Sequence, residues 1–362
     1  MKRLYPAIPF LVVSVLLTVL TLAGCATPAP APVVDQLAPK PLFRDPIYDG
    51  AADPTVIYNP ADKKWYMFYT VRRANVPGLN GVAWVHGTPI GIATSEDGAT
   101  WKYLDTAKFN YKDAVPDVTW WAPAVVEHNG VFHMFVTYVP GTFADGWNHP
   151  RDIVHCTSRD LIHWDYQSTL PLASHKVIDP GVLHLPDGTW RLWYKDEASG
   201  SSCHFADSKD LDTWTDGARV PGLSDAGGEA PLPFHWKGHY WLMRDITGGQ
   251  HGLALYRSED AKDWTRVSTL VQQPGTGKDD MVVGHHPEVI ISNGRAYMFY
   301  FTHPDQARGA ASAVDGNARR SSIQVVELKY DEANNVLTAD RNAPTMINLQ
   351  GPKDVETESK FE

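Results

Sequence analysis

Three carboxylic acids in this chain stand beside a proline at the start of an apolar run. Asp53 lies in "ADPTVIY" and Asp179 in "IDPGVLH", while Glu229 lies one residue further from the proline in "GEAPLPF". Two acids whose pKa values differ can divide acid and base work at one centre, and hydrolysis of a glycosidic bond requires such a pair. If folding brings these segments together, the chain carries the groups for that reaction.

Two further segments begin in the same way. They are "WAPAVVE" (121–127) and "HHPEVII" (285–291), which place Ala122 and His286 beside the proline. A turn and an aromatic, strand-like run follow each of the five openings, as in β-hairpins. Four of the five units also carry the spacing S-x-D-x-x-x-W, at 95–101, 158–164, 208–214 and 258–264. The chain therefore consists of five similar units with little helical periodicity.

Five units of four strands predict an all-β fold, a five-bladed β-propeller with four-stranded antiparallel blades. The first strand of each blade is innermost, and proline is tolerated as its first residue because it cannot donate a ladder hydrogen bond. The residues beside the prolines should then ring one channel: Asp53, Ala122, Asp179, Glu229 and His286. Carboxylates that face one another repel, so at least one pKa must rise. We expect Glu229 to be protonated near neutral pH and Asp53 to be ionised.

The long loops between second and third strands, 71–89, 139–152 and 303–322, should overhang this ring. Aromatic rings near the mouth could stack on sugars, although in a propeller they can equally fill the core. Arginines there could bind an anionic sugar, or could lie on a solvated surface. The candidate substrate-binding residues are Trp84, His86, Trp120, Trp121, Arg72 and Arg244. The S-x-D-x-x-x-W segments are predicted to be structural turns.

The N-terminus has the features of an export signal. Lys2 and Arg3 precede an apolar run, 11–23, that ends in "LAGC", which resembles a bacterial lipoprotein cleavage site with Cys25 as the lipidated residue. We predict a lipoprotein signal peptide at 1–24, a Pro/Ala-rich linker at 25–45, the propeller at 46–350 and a tail at 351–362. The expected location is outside the cytoplasm, on a bacterial membrane facing the periplasm or the cell surface.

Charge and motifs exclude several functions. Without Lys2 and Arg3 the chain has 30 basic and 42 acidic residues, a net charge of −12 that argues against a nucleic-acid partner. The sequence contains no H-E-x-x-H, P-loop, nucleophile elbow or C-x-x-C. A membrane partner is expected only through the lipid anchor, and the expected ligand is an oligosaccharide or polysaccharide.

The ordered set "ADP", "WAP", "IDP" and "GEAP" resembles the motifs of glycoside hydrolase family 43. The resemblance implies a five-bladed propeller that removes a terminal sugar from a plant or algal oligosaccharide by inverting hydrolysis, as arabinofuranosidases, xylosidases and galactosidases do. It implies that Asp53 is the general base, that Glu229 is the general acid, and that Asp179 tunes and orients the acid. His286 would face a central ion, often calcium, through water.

Two features depart from that family pattern. Ala124 follows "WAP" where members often carry an aspartate, and the first-blade loop "RRANVPGLNGVAWVHG" is long. Family 117, whose members act on anhydrogalactose-containing algal oligosaccharides, has a similar acid set and is an alternative. A non-catalytic carbohydrate-binding propeller lipoprotein is another, although a binding protein has no need for three mutually repelling acids.

Overall fold

The computed structural model describes Met1 and residues 34–111, 117–223, 227–246, 251–306 and 316–352. From Asp35 onward the chain forms one compact unit. Apart from Met1, the predicted signal peptide lies outside the described residues, and so does Cys25. Within the described ranges no helix is long and apolar enough to cross a membrane.

Strands account for nearly all of the regular structure. After a short β1 (Gln36–Leu37), the strands of the first two blades are β2 (Ala51–Asn59), β3 (Lys64–Val71), β4 (Ile90–Ser95), β5 (Lys102–Thr106), β6 (Lys108–Asn110), β7 (Thr119–His128), β8 (Val131–Val139), β9 (Asp152–Ser158) and β10 (His163–Thr169). Blade 1 has the order β2-β3-β4-β5, and blade 2 has the order β7-β8-β9-β10 with β6 added parallel to β10 at its outer edge.

The remaining strands are β11 (Val177–His184), β12 (Trp190–Asp196), β13 (Ser202–Ser208), β14 (Ala218–Arg219), β15 (Gly228–Trp236), β16 (His239–Ile246), β17 (Leu253–Ser258), β18 (Thr265–Leu270), β19 (His285–Ser292), β20 (Arg295–Thr302), β21 (Ser322–Asp331), β22 (Val336–Ala339) and β23 (Met346–Ile347). Blades 3, 4 and 5 consist of β11–β14, β15–β18 and β19–β22, each in antiparallel chain order. Short 3₁₀ segments occur at Ala83–Val85 and Gly316–Arg319. The predicted five-bladed propeller is confirmed.

Each blade carries its main apolar contacts at the boundary with the next blade. Separate buried clusters join blades 1 and 2, 2 and 3, 3 and 4, 4 and 5, and 5 and 1. A sixth cluster contains Trp84, Val85, Trp121, Ala122 and Val139, from blades 1 and 2 and the loop of blade 1. Burial of apolar surface between the sheets thus holds the ring together.

Every innermost strand has a bulge at its proline. The register shifts between Ala52 and Thr55 in blade 1, and at the equivalent point of the other four inner strands. The residue before each proline has a positive φ: Asp53 49°, Ala122 45°, Asp179 59°, Ala230 50° and His286 40°. This conformation is rare for residues with a side chain, and bulges commonly redirect side chains next to active sites. Five equivalent bulges therefore aim five segments at the axis.

The S-x-D-x-x-x-W segments form structural turns, as predicted. In the turn at 208–214, Ser208 Oγ accepts a hydrogen bond from Leu211 N, and Asp210 Oδ1 accepts bonds from Asp212 N and Thr213 N. Trp214 Nε1 donates to Leu211 O across 2.9 Å. The turn at 95–101 repeats this pattern. These residues bind backbone and have no place at the mouth.

Segments at both ends of the described chain close the ring. β1 pairs antiparallel with β23, and Leu42 N and Phe43 N both donate to Ile323 O of blade 5. Trp65 Nε1 of blade 1 donates to Leu349 O. Residues 35–45, which the sequence assigns to the linker, therefore belong to the compact unit, because buried apolar side chains such as Leu42 and Phe43 fix them there.

Candidate active site

The inner strands bring three of the predicted acids and one histidine to a common centre. His286 Nδ1 lies 3.4 Å from Asp53 Oδ1. The charges of His286, Glu229 and Asp53 all act on the carboxyl group of Asp179. Asp179 is buried and the Asp53 side chain is only 9% exposed, whereas the Glu229 side chain is 35% exposed. Two deep carboxyl groups thus lie beside one that solvent or a ligand can reach.

Asp53 is held by groups from two blades. Arg72 Nη2 lies 3.4 Å from Asp53 Oδ1 and 3.5 Å from Oδ2, so one guanidinium nitrogen faces both oxygens. Arg72 Nη1 lies 2.8 Å from His303 Nε2, and its guanidinium packs 4.7 Å from the centroid of the Phe301 ring. The sequence suggested that Arg72 could bind an anionic sugar, but the structure places it against Asp53.

A repeated contact links each blade to the ring residue of the next. Thr70 Oγ1, near the end of the second strand of blade 1, accepts a hydrogen bond from Ala122 N, and Thr137 Oγ1 of blade 2 accepts one from Asp179 N. We call this place in the second strand the brace position. It is occupied by Thr70, Thr137, Lys195 and Asp245, which pair with equivalent residues of the first strands in blades 1 to 4.

In blade 3 the brace position carries Lys195, and the hydrogen bonds change accordingly. An ammonium group has no acceptor atom, so it cannot replace threonine as the partner of a backbone N–H. Ala230 N instead donates to Asp179 Oδ2 across 3.0 Å. Lys195 Nζ lies 3.0 Å from Glu229 Oε2. Asp179 therefore fixes the backbone next to Glu229, and Lys195 fixes its carboxyl group.

The chain of charges continues behind Lys195. Lys195 Nζ lies 2.9 Å from Glu197 Oε1, and Glu197 Oε2 pairs with Arg151. The Arg151 side chain is 4% exposed and also donates to Trp147 O. Blades 2 and 3 thus support the carboxyl group of Glu229, which blade 4 provides.

Burial and neighbouring charges shift the pKa values of Asp179 and Glu229 in opposite directions. Burial raises the pKa of Asp179 to about 7, with Glu229 and Asp53 adding to the rise while His286 and Lys195 oppose it. Burial also acts to raise the pKa of Glu229, but Lys195 and His286 outweigh it, so that pKa lies below its usual value. These directions run against the expectation from the sequence that Glu229 is the acid with the raised pKa: of the two acids, Asp179 has the raised pKa and Glu229 the lowered one.

A second charged pair lies beside Glu229. His285 Nδ1 is 2.9 Å from Asp245 Oδ2, the brace residue of blade 4. Burial acts to lower the pKa of His285, but Asp245 and the more distant Glu229 raise it overall. An imidazole with a raised pKa thus faces the acid pair from blade 5.

Three of the predicted aromatic residues pack together at the mouth of blades 1 and 2. Trp121 Nε1 donates to Val85 O, and the rings of His86 and Trp121 lie 4.9 Å apart. Trp84 lies edge-on to His303, 6.0 Å away, next to Arg72. His86 is fully buried and burial lowers its pKa to about 3, so it is neutral at physiological pH.

The structure does not bring Trp120 or Arg244 to the mouth. Trp120 stacks on Phe109 at 4.2 Å within the apolar cluster between blades 1 and 2. Arg244 is 1% exposed, and its Nη2 donates to Gly228 O, directly before Glu229. Both roles are structural: neighbouring side chains in a strand point to opposite faces, so Trp121 takes the mouth and Trp120 takes the core.

Sequence reasoning missed Lys195 and Trp147. Lys195 ends an aromatic run and is visible only when the second strands of the five units are aligned, which places it with Thr70 and Thr137. Trp147 lies in the loop 139–152, is 53% exposed, and has its ring 6.2 Å from that of Trp121. An exposed aromatic ring beside a group of acids can stack on a sugar.

The described residues contain no cluster of three or more His, Cys, Asp or Glu side chains that could bind a metal. A small axial cavity beside the ring is lined by His286, by Glu288 and by the inner-strand prolines. The Glu288 oxygens accept bonds from Thr55 Oγ1 and Val289 N. Calcium takes six to eight oxygen ligands, which one imidazole and prolines do not supply, so these side chains do not form a direct calcium site.

Comparison with solved structures supports this fold. A thermostable family-43 glycoside hydrolase aligns over 86% of this chain and 99% of its own, with 17% identity and a TM-score of 0.59. An exo-1,5-α-L-arabinanase from a bovine ruminal metagenomic library aligns over 80% and 97%, with 17% identity and a TM-score of 0.55. A β-xylosidase/α-arabinofuranosidase from a compost metagenome, solved calcium-free with xylotriose, aligns over 85% and 98%, with 15% identity and a TM-score of 0.58.

Sequence comparison identifies the family. A sucrose-6-phosphate hydrolase from Zymomonas mobilis is 31% identical over 174 aligned residues, which cover 39% of this chain and only 32% of the relative. The family model for glycosyl hydrolases family 43 matches residues 43–333, which include blades 1 to 4 and the first three strands of blade 5. The chain belongs to family 43 of the glycosyl hydrolases.

Proposed function

We propose that this enzyme releases a terminal sugar from a plant or algal oligosaccharide by hydrolysis with inversion of the anomeric centre. The observation that carries the proposal is the pairing of a deep carboxylate, Asp53, with a reachable one, Glu229, across a single ring of inner strands. Inverting hydrolysis requires a base and an acid on opposite sides of the sugar, with room for a water molecule.

In this mechanism Asp53 takes a proton from water while the water oxygen bonds to the anomeric carbon. The bond from that carbon to the glycosidic oxygen breaks, and Glu229 gives its proton to the leaving oxygen. That proton is the one held by the coupled pair of Asp179 and Glu229 in the ligand-free site. Arg72 and His286 orient Asp53, while Asp179 and Lys195 orient Glu229.

Exo action is supported by contacts among the overhanging loops. Val82 N in the loop of blade 1 donates to Ala144 O in the loop of blade 2. Arg319 Nη2, at the end of the blade 5 loop, donates to Leu79 O in the loop of blade 1. Loops joined in this way close one side of the mouth, which favours a pocket for a chain end over an open cleft.

The sugar proposed first is a pentose, α-L-arabinofuranose or β-D-xylose, because solved structures of the same fold include an arabinanase, a xylosidase and a bifunctional enzyme of both kinds. Galactosides and anhydrogalactose-containing oligosaccharides remain in the test, as does sucrose 6-phosphate. A central calcium ion is proposed only in hydrated form, facing His286 through water. We also propose export and attachment to a membrane through a lipid on Cys25, which rests on the sequence alone.

The test is sugar release from a panel of these oligosaccharides by wild type, Asp53→Asn and Glu229→Gln, with NMR detection of the first anomer formed. We expect one monosaccharide, released with inverted configuration, and a loss of about 10²-fold or more in kcat/KM for each variant. Glu259→Gln, whose side chain is 68% exposed on blade 4, is the matched control and should leave the rate unchanged. Retention of configuration, or full activity in Glu229→Gln, would refute the mechanism.

A further inference from the structure

The brace position performs one task in the first two blades and another in the third. Thr70 and Thr137 each accept the backbone N–H of a ring residue in the next blade. Lys195 occupies the same position but contacts the side chain of Glu229. Where blades 1 and 2 have a threonine that supports backbone, blade 3 therefore has a lysine that contacts the side chain of the acid.

The ammonium group of Lys195 is fixed on two sides. Its side chain is 8% exposed and lies 3.0 Å from Glu229 Oε2 and 2.9 Å from Glu197 Oε1. Glu197 is held in turn by the buried Arg151. Because this support comes from blades 2 and 3, Lys195 can hold one oxygen of Glu229 and leave Oε1 for the leaving group.

We propose that Lys195 is a positioning residue that orients Glu229 through Oε2 and decides on which carboxyl group of the Asp179–Glu229 pair the proton rests before substrate binds. The inference rests on the proposed role of Glu229 as general acid. The three carboxyl groups of the ring are chemically alike, so their different protonation must come from their neighbours. Lys195 is such a neighbour.

Charged and titratable groups from three other blades face Glu229. They are Lys195 and Asp179 of blade 3, Asp53 of blade 1, and His285 and His286 of blade 5. Within this group, Lys195 forms a hydrogen-bonded ion pair with Glu229. The lowered pKa of Glu229, against the effect of burial, has Lys195 as its largest favourable cause. Geometry and charge thus identify the same residue.

The decisive experiment compares the alkaline limb of the pH profile of kcat/KM in two variants with opposite expected shifts. Lys195→Met removes the cation at similar volume, so the limb should move up by about one pH unit. Glu197→Gln removes the second anion that Lys195 pairs with, so Lys195 stabilises the Glu229 carboxylate more strongly and lowers its pKa. The limb should therefore move down by about half a unit. Lys195→Arg, which restores a cation, should return the limb towards wild type.

Orientation has a separate readout. An aryl glycoside with an acidic phenol needs little proton donation, so Lys195→Met should keep its rate within a few-fold. On an oligosaccharide, whose leaving group needs the proton, the same variant should lose about tenfold or more. Lys176→Met, which removes a blade 3 lysine whose Nζ bonds Asn148, is the matched control and should change neither readout.

An unmoved limb in both variants, or shifts of the same sign, would overturn the inference, because general loosening of the site cannot produce opposite shifts. A ¹³C NMR titration of the glutamate carboxyl groups tests the same point without substrate. The Glu229 signal, assigned by its loss in Glu229→Gln, should titrate at higher pH in Lys195→Met than in wild type. This result stands even if no sugar of the panel is released, so failure of the proposed function and failure of this inference are distinguishable.

Discussion

At the scale of single residues, Asp179 combines two tasks that pull in different directions. Its Oδ2 accepts the Ala230 N–H and so fixes the strand that carries Glu229. Its burial raises its pKa to about 7, so near neutral pH it is poised between the acid and the carboxylate. A group that both orients the general acid and stores a proton needs a carboxyl group, because an amide can do only the first.

The difference in the free energy of unfolding between Asp179→Asn and wild type should therefore depend on pH. The pKa is about 7 in the folded protein and about 3.9 in the unfolded chain, so the folded state binds the extra proton between those values. Stability from this group is fully present below about pH 4 and is lost as the pH rises through 7. Asparagine avoids that loss, so the variant should gain on wild type by up to about 4 kcal/mol between pH 4 and pH 8.

Urea unfolding of both proteins at several pH values measures this difference. Asp216→Asn, at an exposed position of blade 3, provides the control and should give a difference that does not vary with pH. A constant difference for Asp179→Asn would mean that Asp179 is ionised throughout and that the proton is held elsewhere.

The sequence could predict which acids meet but not how their protons are shared. Asp53, Asp179 and Glu229 were placed together by one repeated feature, the proline near the start of each inner strand. The lowered pKa of Glu229 could not be predicted because it depends on Lys195, which lies 34 positions away in the chain. In the same way, "WWAP" does not reveal which tryptophan faces the mouth, since that depends on the register of a bulged strand.

At the scale of elements, the blades use two kinds of repeated turn for different ends. The bulge before each proline holds five residues at positive φ beside the channel, a conformation that costs on the order of 1–3 kcal/mol per residue. The S-x-D-x-x-x-W turns lie away from the channel, and their carboxylate oxygens accept hydrogen bonds from backbone N–H groups. The second kind contributes stability, while the first directs side chains.

This division predicts a variant that alters stability without altering catalysis. Asp210→Ala leaves Asp212 N and Thr213 N without their carboxylate acceptor, which should destabilise the protein by about 1–2 kcal/mol. Its kcat/KM on the sugar released in the panel should stay within twofold of wild type. Urea unfolding and initial rates test both parts, with Asp212→Ala, whose side chain is 69% exposed, as control. A large loss of activity would show that the turn affects the arrangement of the acids beside the channel.

Strand order was predictable because the units repeat, whereas ring closure was not. Five hairpin openings, aromatic runs and turns give blades whatever their detailed register. The closing segments are only two residues each: Gln36–Leu37 lies in the Pro/Ala-rich stretch predicted to be linker, and Met346–Ile347 lies near the end of the predicted propeller. No local pattern predicts the contacts that hold them: the two segments pair with each other, and Met346 O accepts hydrogen bonds from Arg295 and Tyr297 of blade 5.

At the scale of the whole molecule, attachment to a membrane can be tested independently of activity. If Cys25 carries a lipid, Cys25→Ser should move the protein from the membrane fraction to the soluble fraction of a bacterial expression host. The rates of the released variant on soluble oligosaccharides should match those of wild type, since residues 35–352 contain the ring of acids. Cys203→Ser, which changes a buried thiol of blade 3, is the control and should stay with the membrane.

The way in which the ring is closed determines where mechanical load enters the enzyme. A pull on the chain before Asp35 first meets the β1–β23 pair and the Asp35–Arg295 ion pair. Both belong to the seam between blades 5 and 1, which lies across the ring from blade 3 and its Lys195. Force at this seam therefore acts on the two blades that supply Asp53 and His286 to the ring of acids.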